Sequence, residues 1–394
     1  MRVLFSSIRN TSHFLPLVPF IEACRRGGHE VAVAAPPDLA ERVATTGAAF
    51  MPFGHPGDAG LAPLWKKMRE VAADDHPRVA IGEIFAGACA SAALPGLLET
   101  MERWRPAIVV RESQEYAALV AAEKLNVPHA RVGISARGSE LQVIPAAAPA
   151  VDQRRHGLGL PADPEGDRMR TETTLTMFPP SFEGTGEAEA ATADPAVILR
   201  FRALRAAAPP LPDWWAGSRQ PFVYVTLGTV IGTMVDLASS YRTVIEAVAD
   251  LPVRVLLTTG AEVAPDALGV VPANVHIERF VPQDQVLPHA AALLCHGGSG
   301  TTIGGLAAGV PMVVAPMFAD QPFNAQCIAA TGAGLAVPLR TANAAEMRAA
   351  LLRVLEQPSF RAVAQRFAAE IAALPPVDTA GAELARLAGA STHP

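Results

Sequence analysis

Short, mostly apolar runs alternate along this chain with stretches whose apolar residues recur at helical spacing, and the alternation goes round twice. That pattern constrains the fold more than any other feature. A run that is apolar at every position suits a strand covered on both faces. Strands separated by helices pair in parallel. In the first half the runs are Val3–Phe5, Val31–Ala34, Ala107–Val110 and Ala130–Ile134. Between the first two, Leu17, Phe20, Ile21 and Cys24 share one helical face, and Gly27-Gly28 ends that helix. After a break, the pattern restarts with Phe222–Leu227, Arg254–Thr259, Val275–Phe280, Ala292–Cys295 and Met312–Ala315. The expected fold is α/β: two Rossmann-like doubly wound domains facing across a cleft. Ligands of open parallel sheets bind at the strand C-termini, which such a cleft would join.

The break is Ala206–Gln220, which carries Pro209, Pro210, Pro212 and the pair Trp214-Trp215 and reads as a semi-rigid linker. The expected domains are 1–205, a linker 206–220, a second domain 221–375, and a final helix 376–394 that packs back on the first domain. Three stretches lack clear periodicity and read as loops or lids: Phe53–Arg78, Glu140–Asp167 and Glu183–Asp194. Residues 343–394 are Ala-rich and helical in pattern, interrupted at Pro375-Pro376.

Composition removes several function classes. With 394 residues, half of them apolar, the chain can bury sizeable cores. A net charge of −6 argues against a nucleic-acid partner, which needs a basic face. Cys24, Cys89, Cys295 and Cys327 lie far apart and make no zinc-spaced cluster, so four reduced thiols are expected. Met1–Ser7 lacks the apolar segment of a signal peptide, and no apolar run reaches the ~20 residues of a bilayer span. The expectation is a cytoplasmic protein without stable membrane insertion. Nothing in the sequence fixes oligomeric state, and a homodimer stays open.

The most informative segment is Leu293–Thr302, where a strand runs into His296-Gly297-Gly298-Ser299-Gly300-Thr301-Thr302 and a helix begins. Glycines let the backbone approach an anion, and a helix N-terminus offers free N–H groups. Ser299, Thr301 and Thr302 add hydroxyls, and His296 adds a ring N–H. The segment is neither a Walker A loop nor GxGxxG. Past the next strand, Met317–Asn324 places Asp320-Gln321 beside this turn. A carboxylate next to an amide suits a polyhydroxylated ring, although Asp320 also suits a helix cap.

In this order the motifs resemble the nucleotide-sugar-dependent glycosyltransferases of the GT-B fold, in particular the bacterial natural-product branch that decorates macrolides and enediynes. Val225-Thr226-Leu227-Gly228-Thr229 resembles the first strand and loop of that family's donor domain, and Phe280-Val281-Pro282-Gln283 its base-binding segment. The resemblance makes the first domain acceptor-binding and the second donor-binding. It implies that His296, Gly297, Gly298, Ser299, Gly300 and Thr301 hold the donor diphosphate. Gly228 and Thr229 approach the phosphate and sugar, Asp320 and Gln321 take sugar hydroxyls, Val281 and Gln283 lie at the base, and Phe280 stacks on it. Plant relatives carry a ribose-binding Glu where this chain has Gly304. Its loss would tolerate a deoxyribose, so a dTDP-sugar is expected, with UDP as the alternative. No cofactor is expected beyond this nucleotide-sugar co-substrate.

In the first half, His13 precedes a helix that carries Pro16, and Glu112 ends the run after Ala107. An imidazole suits removal of a hydroxyl proton at neutral pH. The resemblance makes His13 the catalytic base and Glu112 its orienting carboxylate, although Arg111 offers Glu112 a surface ion pair instead. The reaction implied is an inverting transfer that uses no metal. Asp74-Asp75 reads as a solvated loop, not as a metal site. The acceptor would be a hydroxyl of a small hydrophobic aglycone, with Trp65, Phe85 and Ile144 as candidate contacts. The rivals are a nucleotide-sugar 2-epimerase and a non-catalytic helper or binding protein.

Overall fold

The computed structural model describes residues 1–183, 196–204, 208–228, 237–260 and 263–390. The chain divides into two compact units. One comprises Met1–Met177, Ala188–Leu204 and Pro375–Pro394; the other comprises Phe178–Glu187 and Arg205–Leu374.

The first unit is built on a seven-stranded, all-parallel sheet. Its strands are β1 (Arg2–Ser6), β2 (Glu30–Ala35), β3 (Ala49–Pro52), β4 (Ile108–Glu112), β5 (His129–Val132), β6 (Thr174–Thr176) and β7 (Ile198–Arg200), in the order β3-β2-β1-β4-β5-β6-β7. Alternate side chains of one strand enter opposite cores. Val3 and Phe5 pack on the helix Val18–Arg26 through Phe20, Ile21 and Cys24. Leu4 packs on the other face with Leu97 and Met101 of the helix Ala90–Trp104 and Leu119 of the helix Tyr116–Lys124. Both faces are covered, which is why β1 is apolar throughout Val3–Phe5.

The end of the chain completes this unit. The backbone of Arg202 bonds to Pro375 and Val377, and Val377, Ala380 and Leu384 are buried in the same core as Val3 and Phe5. By contrast Phe178 and Phe182 pack together with ring centroids 5.0 Å apart. Phe182 also contacts Phe367, so this stretch joins the second unit rather than the first.

The second unit holds β8 (Phe222–Thr226), β9 (Arg254–Thr258), β10 (Val275–Glu278), β11 (Ala292–Cys295), β12 (Met312–Val314) and β13 (Gly334–Ala336). They form a parallel sheet in the order β10-β9-β8-β11-β12-β13. Val223, Val225, Leu257, Leu294 and Val313 share one core with Val244 and Leu351 of the helices Leu237–Val248 and Ala344–Glu356. Trp214 stacks on His276 at 4.7 Å, and Trp215 packs on Phe222 at 5.8 Å, so this end of the expected linker is seated on the second sheet.

Two expected loops are helices. Phe53–Arg78 contains the helix Gly57–Glu70, and Glu140–Asp167 lies largely in the helix Arg137–Gly157. The first carries Pro63 and the second Pro145 and Pro149 in their interiors, residues that read as breaks in sequence but are tolerated here by packing. The third stretch, Glu183–Asp194, falls outside the described residues from position 184 onward.

Arg78–Cys89 winds as a π-helix and runs straight into Ala90–Trp104. The resulting helical run 73–104 is long and apolar enough, by length and composition, to cross a bilayer, which corrects the expectation that no such segment exists. Its Ile81, Ala86, Ala90, Ala93, Leu97 and Met101 are buried in the first unit, as in a core helix of a globular domain. A Cβ at Gly82 would lie 2.6 Å from the Ala146 carbonyl oxygen, so only glycine permits the approach of the π-helix to Arg137–Gly157.

Candidate active site

A doubly wound sheet has one point where the strand order reverses, and loops diverge from it on either side. In the first sheet that point lies between β1 and β4, whose residues Ser6 and Arg111 stand in register. His13 follows β1, in the helix Thr11–Phe14, and Glu112 is the last residue of β4. Topology therefore delivers both to the same place. The Nδ1 atom of His13 lies 3.2 Å from Oε2 of Glu112. Both are buried, Glu112 completely. The same Oε2 accepts from the backbone N–H of Gln114 at 2.8 Å. With the Glu112 oxygen accepting at Nδ1, the proton belongs on that nitrogen and Nε2 keeps its lone pair.

Arg111 does not pair with Glu112. Neighbouring residues on a strand point to opposite faces, and Arg111 is buried against Glu172, with Nη2 2.5 Å from Oε2. The surface ion pair that Arg111 offered in sequence is thus absent.

Phe85 on the π-helix meets the His13 ring edge-on at 5.7 Å, and Trp65 meets Phe85 at 6.4 Å. Two of the three candidate acceptor residues thus form an aromatic path leading to the imidazole. Ile144 does not join them. It is 3% exposed and packed in the core, against Gly166 and Met169.

Sequence reading missed the polar residues beneath this pair. Glu115 caps the helix Tyr116–Lys124 by accepting from the N–H groups of Ala117 and Ala118, and it takes a hydrogen bond from Ser6 Oγ at 2.9 Å. Ser113 donates to Glu140. Burial pushes the carboxyl groups of both Glu115 and Glu140 up to about 7, against the opposing pull of these hydrogen bonds. Only the capping position of Glu115 leaves a trace in sequence.

The second sheet repeats the arrangement. Its order reverses between β8 and β11, with Thr226 and Cys295 in register. Gly228 lies just past one strand and His296 just past the other. A Cβ at Gly228 would lie 2.8 Å from Nε2 of His296, and one at Gly298 would overlap the same atom. The ring therefore needs glycine on both sides. Burial pushes His296 down to about 4, although Asp320 and the Thr226 backbone favour its charged form. It is a neutral hydrogen-bonding group at physiological pH, not a cation.

The helix Ser299–Ala307 starts immediately after Gly298. Its first N–H groups lack intrahelical acceptors. Ser299 uses its own: its N–H and Oγ both donate to Oδ2 of Asp320, at 3.2 and 2.5 Å. Thr302 is fully buried. Of the three hydroxyls expected to face a ligand, two therefore point into the protein, and Thr301 alone is half-exposed. A Cβ at Gly300 would meet open space. Gln321 is buried and accepts at Oε1 from Met317 N at 2.9 Å and Phe318 N at 3.3 Å, so its oxygen shapes its own turn.

Phe280 is 68% exposed, a large aromatic face that the described residues leave mostly uncovered. Val281 follows it, and Gln283 donates to the Gly300 carbonyl at 3.2 Å. Gly304 faces that same Gln283 side chain, where a Cβ would come within 3.3 Å of Nε2. Thr229 lies outside the described residues. Among the described residues, no three His, Cys, Asp or Glu side chains group as metal ligands. All four cysteines are buried and free.

A family model for the C-terminal domain of erythromycin biosynthesis protein CIII-like proteins matches residues 242–386. The elloramycin glycosyltransferase ElmGT of Streptomyces olivaceus is 32% identical, over 96% of this chain and 96% of its own. L-demethylnoviosyl transferase of Streptomyces niveus is 30% identical over 95% of each chain. The solved structure of glycosyltransferase VinC, in complex with DTDP, matches with a TM-score of 0.77 at 27% identity, covering 99% of this chain and 100% of VinC. The chain belongs to the bacterial natural-product branch of the nucleotide-sugar-dependent glycosyltransferases, enzymes of the two-domain GT-B fold.

Proposed function

We propose that this enzyme moves a sugar from a dTDP-linked donor to a hydroxyl of a hydrophobic aglycone, with inversion and without a metal ion. The buried His13–Glu112 pair carries this reading. In the proposed step, Nε2 of His13 takes the acceptor proton as its oxygen bonds to the anomeric carbon. The bond from that carbon to the phosphate oxygen breaks, and the nucleoside diphosphate leaves with the electron pair. Glu112 compensates the charge that His13 gains. The leaving charge falls to the N-terminus of Ser299–Ala307, near Gly300 and Thr301, and to a neutral His296 that donates a hydrogen bond.

Two observations support dTDP over UDP. Gly304 brings no carboxylate to a ribose 2′-hydroxyl, and VinC, at 27% identity, binds DTDP. Phe280 supplies the stacking face for the base, and Phe85 and Trp65 supply apolar contacts for the aglycone. Asp320 and the Gln321 amide nitrogen serve the donor sugar.

The reading is tested by titrating the protein calorimetrically with dTDP and UDP in the presence of a chelator. Turnover of dTDP-sugars with apolar hydroxylated acceptors follows, with product anomers assigned by NMR. Tighter binding of dTDP and an inverted product are expected. Preference for UDP would overturn the donor assignment, retention would overturn the displacement, and loss of turnover in chelator would overturn metal independence.

A further inference from the structure

Asn324 lies one helical turn after Asp320, in the helix Gln321–Thr331, and is completely buried. Its Nδ2 reaches three acceptors: the Gly297 carbonyl at 2.9 Å, Oδ2 of Asp320 at 3.0 Å and Oγ of Ser299 at 3.3 Å. These acceptors come from two separate turns, one after β11 and one after β12. The Oδ1 atom is buried and has no hydrogen-bond partner among the described residues. A buried carboxamide with an unpaired oxygen is costly, and an apolar side chain would avoid that cost. What an apolar side chain cannot do is donate to both turns at once.

The geometry at Asp320 completes the argument. Its hydrogen bonds from Ser299 N, Ser299 Oγ and Asn324 Nδ2 all fall on Oδ2. Among the described residues none of these donors reaches its other oxygen, and Asp320 as a whole is half-buried. A carboxylate gripped through one oxygen has its second oxygen fixed in direction, which is what selective reading of a sugar hydroxyl requires. We propose that Asn324 is a positioning residue. It locks Asp320 to the phosphate-binding turn, so that diphosphate and sugar are recognised by one rigid hydrogen-bonded unit. This inference rests on the proposed sugar-binding role of Asp320.

The experiment compares wild type, Asp320→Ala, Asn324→Ala, the isosteric Asn324→Asp and the double variant Asp320→Ala/Asn324→Ala. Each is assayed for the KM of the sugar donor, the calorimetric Kd of dTDP alone, and the melting temperature. Asn324→Ala should raise donor KM about tenfold while changing the Kd of dTDP less than threefold. The double variant should be no worse than Asp320→Ala, because Asn324 acts through that carboxylate. Asn324→Asp keeps the shape but reverses the donor, and should reproduce the rise in KM if the alanine variant does not fold. Equal losses in donor KM and dTDP Kd would overturn the proposal in favour of a turn-holding role. An unchanged donor KM in both Asn324 variants, with Asp320→Ala impaired, would overturn it and leave the proposed function standing. An Asp320→Ala enzyme with normal donor KM would remove the sugar-reading role itself, and this inference with it.

Discussion

His13 and Glu112 meet through Nδ1 and Oε2 at 3.2 Å, although 98 residues separate them in the chain. His13 follows the first, and Glu112 ends the second, of the two strands that flank the reversal point of the first sheet. Replacing His13 by Ala should lower kcat at least about 100-fold, the range of a lost general base. The Kd for dTDP should stay within twofold, since His13 is assigned to the acceptor. Glu112→Gln should lose about tenfold or more, because an amide placed against Nδ1 invites the wrong tautomer. Near-normal transfer by a folded His13→Ala protein would remove the base from the mechanism.

Gly298 has φ −60°, a backbone angle open to any residue, so its constraint is purely one of space. An added methyl would collide with Nε2 of His296, and the ring cannot retreat past Gly228. Gly298→Ala should therefore weaken dTDP binding about tenfold and cost roughly 1–3 kcal/mol of stability through overpacking. Calorimetry and urea unfolding of the variant measure the two effects separately.

Phe280 offers the opposite case, since the fold makes little use of it. At 68% exposure, its replacement by Ala should leave the melting temperature almost unchanged. Loss of a stacked base costs about 1–3 kcal/mol, so dTDP affinity should drop roughly 5- to 150-fold. A variant that binds dTDP normally would place the base elsewhere.

Glu140 titrates near 7 in the folded protein, well above an unfolded carboxyl. Between about pH 4.5 and 7 the native state holds a proton that the unfolded chain has released. The stability this contributes is present at low pH and is lost as pH rises through 7. His296, held down to about 4, acts with the opposite sign between 4 and 6.5, where the unfolded chain binds the extra proton. Glu140→Gln should therefore gain on the wild type, by roughly 1–3 kcal/mol, as pH is raised from 5 to 8. Urea unfolding at the two pH values checks the sign, and parallel curves would refute it.

The long apolar runs gave away the strands at the centre of each sheet because burial on both faces leaves little choice of residue. Strands at or next to an edge, such as β6, β7 and β13, span three residues each and carry no readable period. The helices Gly57–Glu70 and Arg137–Gly157 were hidden by internal prolines, whose cost is met by packing that no local rule sees. At the site, glycines and His296 were legible because a turn against an anion restricts residue type. Asn324 was not, since an isolated amide in a helix looks like any solvated one until the fold buries it, and Glu115 showed only as a helix cap. Ile144 failed for the converse reason: an aliphatic side chain serves a core and a ligand surface equally well.

The last turns of the chain carry a consequence for how the protein is made. Val377, Ala380 and Leu384 belong to the core around Val3 and Phe5, and Arg202 pairs with the backbone at 375–377. A ribosome therefore releases the piece that closes the first unit, residues 375–390, only after it has made the second sheet. The second unit, apart from its short 178–187 stretch, lies between those parts and has emerged by then. The unit whose first strands are made earliest would finish folding last, and a graft that exchanges this unit must carry residues 375–390 along with residues 1–177.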